Sequence, residues 1–297
     1  YSHVYNYMGI CLNFSKVANF LMKILLTGAT GFIGSHIFDL LEMEESYIRV
    51  ISRPESAKNL KQNFPSEQII ISDNLFTENH SFFCESLEDI DIIIHTAWYA
   101  ESGKSLQSHK NLECLSGTIS LAKAAINEGV KKFVGIGTCF EYLESTEPLT
   151  VNDPLDPQSI YASSKASCYL TLKSLFNEEN INFAWCRLFH LHGEREHPNR
   201  LVPYLKSQFS KGKVAKLTSG DQIRDFMKVE EVAKVIINVA LGEQCGPINV
   251  CSGMPISIRD LAHNIASESN AEHLLSFGER DMNYYDPPVI VGKPNYE

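Results

Sequence analysis

Tyr161 and Lys165 stand four residues apart in Tyr161-Ala162-Ser163-Ser164-Lys165, a spacing that puts both side chains on one helical face. A free phenol titrates near ~10, so it is a poor acid or base at neutral pH unless a neighbouring ammonium favours phenolate. Lys165 can supply that charge. Upstream, an apolar run ends Gly135-Ile136-Gly137-Thr138. A hydroxyl at Thr138 can hydrogen-bond a carbonyl or alcohol oxygen placed beside the tyrosine. Alone, a Tyr-x-x-x-Lys pair is a weak signal, and it gains weight from this partner.

A second motif names the kind of molecule involved. Thr27-Gly28-Ala29-Thr30-Gly31-Phe32-Ile33-Gly34 follows an apolar strand and opens a helix. Gly28 permits the tight turn, Gly31 lets backbone approach a pyrophosphate, and Gly34 lets helix and strand pack closely. The amides of Phe32 and Ile33 then face phosphate from the helix N-terminus, with Thr30 beside them. This is a dinucleotide loop, and Tyr161 and Lys165 can reach the nicotinamide ribose of such a cofactor. The second strand ends Val50-Ile51-Ser52-Arg53, where an NAD site usually carries an acid for the ribose 2′-hydroxyl. Arg53 there favours NADP (NADPH) over NAD, because a guanidinium can clamp a 2′-phosphate. Asp73, after the third strand, is a candidate for the adenine edge. Ala97, after the fourth, lets backbone lie close to ribose.

These residues need a scaffold of alternating strands and helices, and the chain supplies one. Strands are expected at Lys23–Leu26, Ile48–Ser52, Gln68–Ser72, Asp91–Thr96, Lys132–Ile136 and Phe183–Leu188. Helices are expected over Gly34–Leu41, Ser81–Leu87, Leu112–Glu128 and Tyr161–Asn177. Short continuous Ile/Val runs between helices predict an α/β fold, a doubly wound parallel (Rossmann) sheet covered on both faces. Ligand then sits at the carboxyl ends of the strands, where strand order reverses. Past Gly193 the pattern becomes mixed, with helices near 201–211, 229–241 and 257–268. The expected organisation is a dinucleotide-binding domain over 22–190 and, over 191–297, a smaller mixed C-terminal lobe for substrate, some of it returning to the core. Residues 1–21 show neither period. They read as a non-native or poorly ordered extension before Met22, and the far end reads as incomplete.

Composition limits the partners. The 297 residues carry 26 Lys plus Arg against 36 Asp plus Glu, a net charge of −10. An acidic surface does not attract nucleic acid. No apolar stretch approaches the ~18–20 residues of a membrane span. The 8 cysteines are scattered, with no metal-ligand spacing and no C-x-x-C pair, so no metal site is expected. They read as reduced thiols of a cytoplasmic protein.

Taken together, the motifs resemble the extended short-chain dehydrogenase/reductase family, the NAD(P)-dependent nucleotide-sugar epimerases, dehydratases and reductases. The resemblance runs through TGATGFIG (27–34), DIIIHTA (91–97), GVKKFVGIGT (129–138), YASSK (161–165), RLFHLHG (187–193), RLVP (200–203), GDQIRDFMKVEEVA (220–233) and INVCSG (248–253). It implies a catalytic triad of Thr138, Tyr161 and Lys165 with nicotinamide as hydride carrier. It further implies a nucleotide-diphosphate sugar as substrate and, at family level, a homodimer through the helices at 112–128 and 161–177. Arg224 resembles the arginine that meets the substrate diphosphate, with Arg200 and Arg280 as weaker candidates. His190 replaces an Asn that touches substrate in the family and reads equally as a substrate contact or a structural histidine, while Trp98 and Tyr99 are candidates to flank the sugar that also read as core packing.

Departures from the family pattern narrow the reaction. The 4,6-dehydratases carry Thr-Asp-Glu where this chain has Thr138-Cys139-Phe140, which removes the two acids of water elimination. Glu141, beside Tyr142, reads as a structural or surface residue. The Gly-Thr-Cys-Phe-Glu-Tyr string looks like the branch of CDP-abequose and CDP-paratose synthases, which reduce the 4-keto group of an NDP-deoxysugar. That reaction is the leading expectation. An NAD-dependent 4-epimerase, and a non-catalytic NADP-binding sensor or scaffold, remain alternatives.

Overall fold

The computed structural model describes residues 22–44, 46–60, 64–281 and 285–296; the expectation for residues 1–21 falls outside them. The N-terminal part alternates β1 (Lys23–Thr27), α1 (Phe32–Met43), β2 (Tyr47–Ser52), α2 (Pro54–Ala57), β3 (Ile69–Ile71), α3 (His80–Leu87), β4 (Ile92–His95), α4 (Lys110–Asn127), β5 (Lys132–Thr138), α5 (Ile160–Glu178) and β6 (Asn182–Leu188). There follow β7 (His190–His192), α6 (Leu201–Ser210), β8 (Ala215–Lys216), β9 (Ile223–Lys228) and α7 (Val229–Leu241). The chain continues through β10 (Gly246–Val250), β11 (Pro255–Ser257), α8 (Ile258–Ser267), β12 (Leu275–Ser276) and β13 (Val289–Ile290).

Seven strands form one sheet in the order β10-β6-β5-β4-β1-β2-β3, every neighbouring pair parallel. Continuous apolar runs are what such a sheet requires, because both faces are covered. Ile24 and Leu26 of β1 pack toward α1 and α7, while Leu25 between them packs toward the face covered by α3, α4 and α5. Ile92 and Ile94 of β4 likewise oppose Ile93. Strand order reverses between β1 and β4, which opens a crevice at their carboxyl ends.

Two elements beyond residue 190 belong to this layer. β10 pairs with β6 as the seventh strand, and α7 packs its Val232, Ile236 and Ala240 onto the sheet beside α1. Buried Lys132 of β5 fixes the end of α7, its Nζ donating to the carbonyls of Gly242 (2.7 Å) and Gln244 (3.0 Å) and to that of Val239. The rest of the C-terminal part has its own small core, where Val202, Leu205 and Phe209 of α6 meet Ala262 and Ile265 of α8. A second sheet, β11-β9-β13 with β7 on β9, stands between the two cores. The expected helices near 201–211, 229–241 and 257–268 are thus α6, α7 and α8; the short strands were not anticipated. Among the described residues, no helix is long and apolar enough to cross a membrane.

Candidate active site

The glycine loop is built for close approach. Gly28 has φ +75°, and a Cβ there would lie 2.6 Å from Thr96 Oγ1 and 2.8 Å from Ala97 N. A Cβ on Gly34 would lie 2.1 Å from the Gly28 carbonyl. Gly31 is different, since its Cβ would meet only that carbonyl, at 3.2 Å, and otherwise face open space. No side chain caps α1, so the first-turn amides at Phe32, Ile33 and Gly34, which have no intrahelical acceptor, are left to a ligand. This cradle fits a dinucleotide pyrophosphate. Thr30 lines an adjoining groove of about 280 Å³ together with Ser35, Asn59 and Arg195. Arg53 is exposed at the end of β2, where its backbone caps α2. Asp73 is exposed just beyond β3, and Ala97 N donates to Thr27 Oγ1 at 3.3 Å.

Beneath the crevice runs a buried chain of hydroxyls and imidazole. Thr118 Oγ1 donates to the Cys114 carbonyl at 2.7 Å, so it accepts from His95 Nε2 at 2.9 Å. His95 Nδ1 then accepts from Thr27 Oγ1 at 2.8 Å. That assignment needs a neutral ring, and burial, helped by the Lys165 charge, holds the His95 pKa down at about 3.

Thr138 ends β5 and Tyr161 opens α5, and the Thr138 side chain lies close enough to the phenol to favour its charged form. Tyr161 is half-buried, and loss of hydration around its hydroxyl, followed by the Glu141 carboxylate, pushes its phenol above the ordinary value. The charge opposing this rise is Arg200. The sequence suggested Lys165 for that part. Its ammonium instead donates to the Ile136 carbonyl at 2.6 Å and lies 3.7 Å from the centre of the Trp98 ring. Burial lowers the Lys165 pKa to about 8. The site therefore holds a neutral phenol, a proton donor, one turn along α5 from Lys165. Cys139 is buried, its thiol pushed up to about 12 by burial, so it is no nucleophile.

Glu141 fixes Thr138. Its Oε1 accepts from Thr138 N at 2.9 Å and Trp185 Nε1 at 3.0 Å, and its Oε2 accepts from Arg187 Nε at 2.8 Å. Thr138 Oγ1 in return accepts from Phe140 N at 3.3 Å, closing a capping box around the turn 139–141. The Thr-x-x-Glu spacing is the signature of that device and was legible, but the reading of Glu141 as structural or surface did not use it. The glycines of Gly135-Ile136-Gly137 make room for Trp185, because a Cβ on Gly137 would lie 2.2 Å from Trp185 Nε1.

On the substrate side, His190 Nδ1 is buried without a hydrogen-bond partner among the described residues. Burial, then Arg224 and Arg200, holds its pKa at about 3. Arg200 is exposed at the start of α6, within electrostatic reach of Tyr161, His190 and Glu196. Glu196 was not singled out by the sequence; its Oε2 is buried and has no hydrogen-bond partner among the described residues, and burial raises its pKa to about 7. Arg224 is buried and already engaged, pairing with Asp286 and donating to the Ile223 carbonyl at 2.8 Å. Arg280 stacks on Tyr204 of α6 at 4.4 Å, farther out in the C-terminal lobe. Trp98 faces Lys165, and Tyr99 reaches outward to Glu101 (2.8 Å).

A model of the NAD dependent epimerase/dehydratase family matches residues 24–251, a span from the first strand to the end of the seventh. The chain belongs to that family. As an enzyme of the epimerase/dehydratase family it is similar over most of its length to several curated members. One is the dTDP-6-deoxy-L-talose 4-dehydrogenase (NAD(+)) of Aggregatibacter actinomycetemcomitans, 22% identical over 91% of this chain and 99% of the relative. Another is the dTDP-D-glucose 4,6-dehydratase of Mus musculus, 27% identical over 86% of this chain and 76% of the relative. Among solved structures, the UDP-N-acetylglucosamine 4-epimerase of Methanobrevibacter ruminantium, in complex with UDP-N-acetylmuramic acid, superposes with a TM-score of 0.82. It is 27% identical and covers 92% of this chain and 89% of its own.

Proposed function

We propose that this member of the family reduces the 4-keto group of a nucleotide-activated 4-keto-6-deoxyhexose, with NADPH as the preferred reductant. The observation that carries the reading is the Tyr161 phenol, held neutral next to Thr138, with a buried thiol at 139 and a phenyl ring at 140. A proton donor for a carbonyl oxygen is present, whereas the acids for eliminating water are not. The relative from Aggregatibacter is named a 4-dehydrogenase of a 6-deoxy sugar, and such a reaction run backwards is a 4-keto reduction.

When bound, the dinucleotide supplies the hydride. Thr138 and Tyr161 receive the 4-keto oxygen between their hydroxyls. As negative charge develops there, Tyr161 gives up its proton, and the Lys165 ammonium stabilises the phenolate left behind. His190 and Arg200 hold the sugar and its diphosphate from the C-terminal side, and Arg224 joins them by exchanging Asp286 for phosphate oxygens. Arg53 is the feature that supports NADPH, although the relative from Aggregatibacter is named for NAD(+).

The test is oxidation of reduced nicotinamide, followed by absorbance, with CDP-, dTDP-, UDP- and GDP-linked 4-keto-6-deoxy sugars and either NADPH or NADH. Turnover with one nucleotide class is the expected result. Arg53→Ala should raise KM for NADPH by about 10- to 100-fold and leave KM for NADH unchanged, since it removes a charge-assisted bond worth ~1.5–3 kcal/mol. The second reading is a 4-epimerase, favoured by the likeness to the Methanobrevibacter enzyme. Interconversion of UDP-hexoses without net oxidation would decide for it.

A further inference from the structure

The indole of Trp98 is held in place from several sides. Its Nε1 donates to Asn111 Oδ1 at 2.8 Å, and Asn111 is wholly buried at the start of α4. Asn111 Nδ2 donates in turn to the carbonyls of Ser105 (2.7 Å) and Ser108 (2.8 Å). Between those two, the Leu106 carbonyl accepts from Tyr161 N at 2.9 Å. Phe76 meets the indole edge-on at 6.4 Å. The loop carrying Trp98 is therefore tied to the first turn of the catalytic helix, and the ring cannot turn without breaking the Asn111 bond.

What this fixed ring faces is the Lys165 ammonium, 3.7 Å from its centre. An ammonium carries three donors. One goes to the Ile136 carbonyl, one points into the indole face, and one is left over. Among the described residues no carboxylate forms an ion pair with Lys165. A buried ammonium without a counter-ion loses much of its hydration, and a π face is one of the few uncharged groups that offsets the loss. We propose that Trp98 is a positioning residue: its indole face holds Lys165 charged and directs the remaining donor at the ribose hydroxyls of the dinucleotide. The proposal rests on the reading of Lys165 as part of the cofactor and proton-transfer machinery.

The other groups around Lys165 do not replace this contact. Cys168 lies on the same helix, Cys114 comes from α4, and Glu141, from the turn after β5, spends both oxygens on Thr138, Trp185 and Arg187. His95 from β4 is neutral, as is Tyr161. Trp185 is a second ring, but at 5.8 Å. Burial has already brought Lys165 down to about 8, so its charge is lost as pH rises through that value. Removing the indole face removes support for the charged form, which moves the loss to lower pH.

The experiment compares wild type, Trp98→Leu, Trp98→Phe and Lys165→Met. Calorimetric affinity for the reduced dinucleotide and turnover of the keto-sugar are each measured against pH. In the wild type both should fall on the basic side. Trp98→Leu should move that fall lower by about half to one pH unit, the span a cation–π contact commands. At about pH 6, where both proteins carry the ammonium, affinities should agree. Trp98→Phe keeps a smaller π face and should recover about half the shift, not all of it. A Leu variant whose fall stays at the wild-type pH would overturn the proposal, as would a uniform loss at every pH that Phe does not repair. If Leu fails to fold, an unshifted fall in the Phe variant at reduced overall affinity overturns it equally, because the smaller ring must show part of the shift. Persistence of the fall in Lys165→Met would instead remove the reading of Lys165 itself, and failure of every keto-sugar would remove the reductase while the affinity curves still judge Trp98.

Discussion

Tyr161→Phe is expected to lower kcat by about 10²–10⁴, the usual contribution of a positioned acid, with little change in dinucleotide affinity. The substitution deletes one hydroxyl next to Thr138, and the ring still fills its place. Stability should hardly move, because a phenol pushed above its ordinary value is uncharged on both sides of neutrality. Single-turnover oxidation of the reduced cofactor reads the step directly. Retention of more than about a tenth of wild-type kcat would take Tyr161 out of the acid's role and leave Thr138, or water, as the proton source.

The second large effect is on the fold. Glu141→Gln should destabilise the protein by about 3–5 kcal/mol, as breaking one partner of a buried ion pair does. Glu141 is fully buried, and three donors converge on its two oxygens: Thr138 N, Trp185 Nε1 and Arg187 Nε. An amide at this position turns an NH₂ toward at least one of those donors. It also leaves Arg187 charged in the interior, sandwiched between the rings of Tyr142 (4.7 Å) and Tyr169 (4.5 Å). Tyr142 receives a hydrogen bond from Arg187 at 3.0 Å and donates one to Asn249 at 2.6 Å, so the disturbance reaches β10. Urea unfolding gives the number, and a change below about 1 kcal/mol would mean that the cluster relaxes or admits water. The thermodynamic loss and the catalytic loss should appear together, since the same carboxylate anchors the Thr138 amide.

These two residues also show what a sequence reveals and what it withholds. Tyr161, Lys165 and Thr138 were legible because each sits at a periodic landmark, a helical i,i+4 pair and the end of an apolar strand, and the parallel sheet brings those landmarks to one edge. The glycine loop was legible because its spacing is a local steric requirement. Glu141 carried a local clue, three residues after Thr138, but its depth depends on Trp185 and Arg187 from the next strand, and no local pattern reports that. Arg224 was recognised by its motif, yet its engagement with Asp286 spans 62 positions of sequence. The Trp98 contact escaped for the same reason, because an aromatic after a buried strand reads equally well as packing or as a sugar platform. The strands of two or three residues in the C-terminal part, such as β8 and β12, are held by partners far along the chain and have too few residues to show a period.

The return of α7 and β10 to the main sheet bears on how the protein is made. When synthesis has reached the end of β6, that strand is an open edge, and the side of the sheet bearing Val134, Ile136, Ala184 and Cys186 has no α7 above it. An uncovered edge beside an uncovered apolar face is what invites strands from other chains. About sixty more residues must leave the ribosome, at about 5–20 per second, before α7 and β10 close both openings. For several seconds the nascent chain therefore carries a nearly finished parallel sheet that is sticky along one side, the interval in which a chaperone that shields it has most to do.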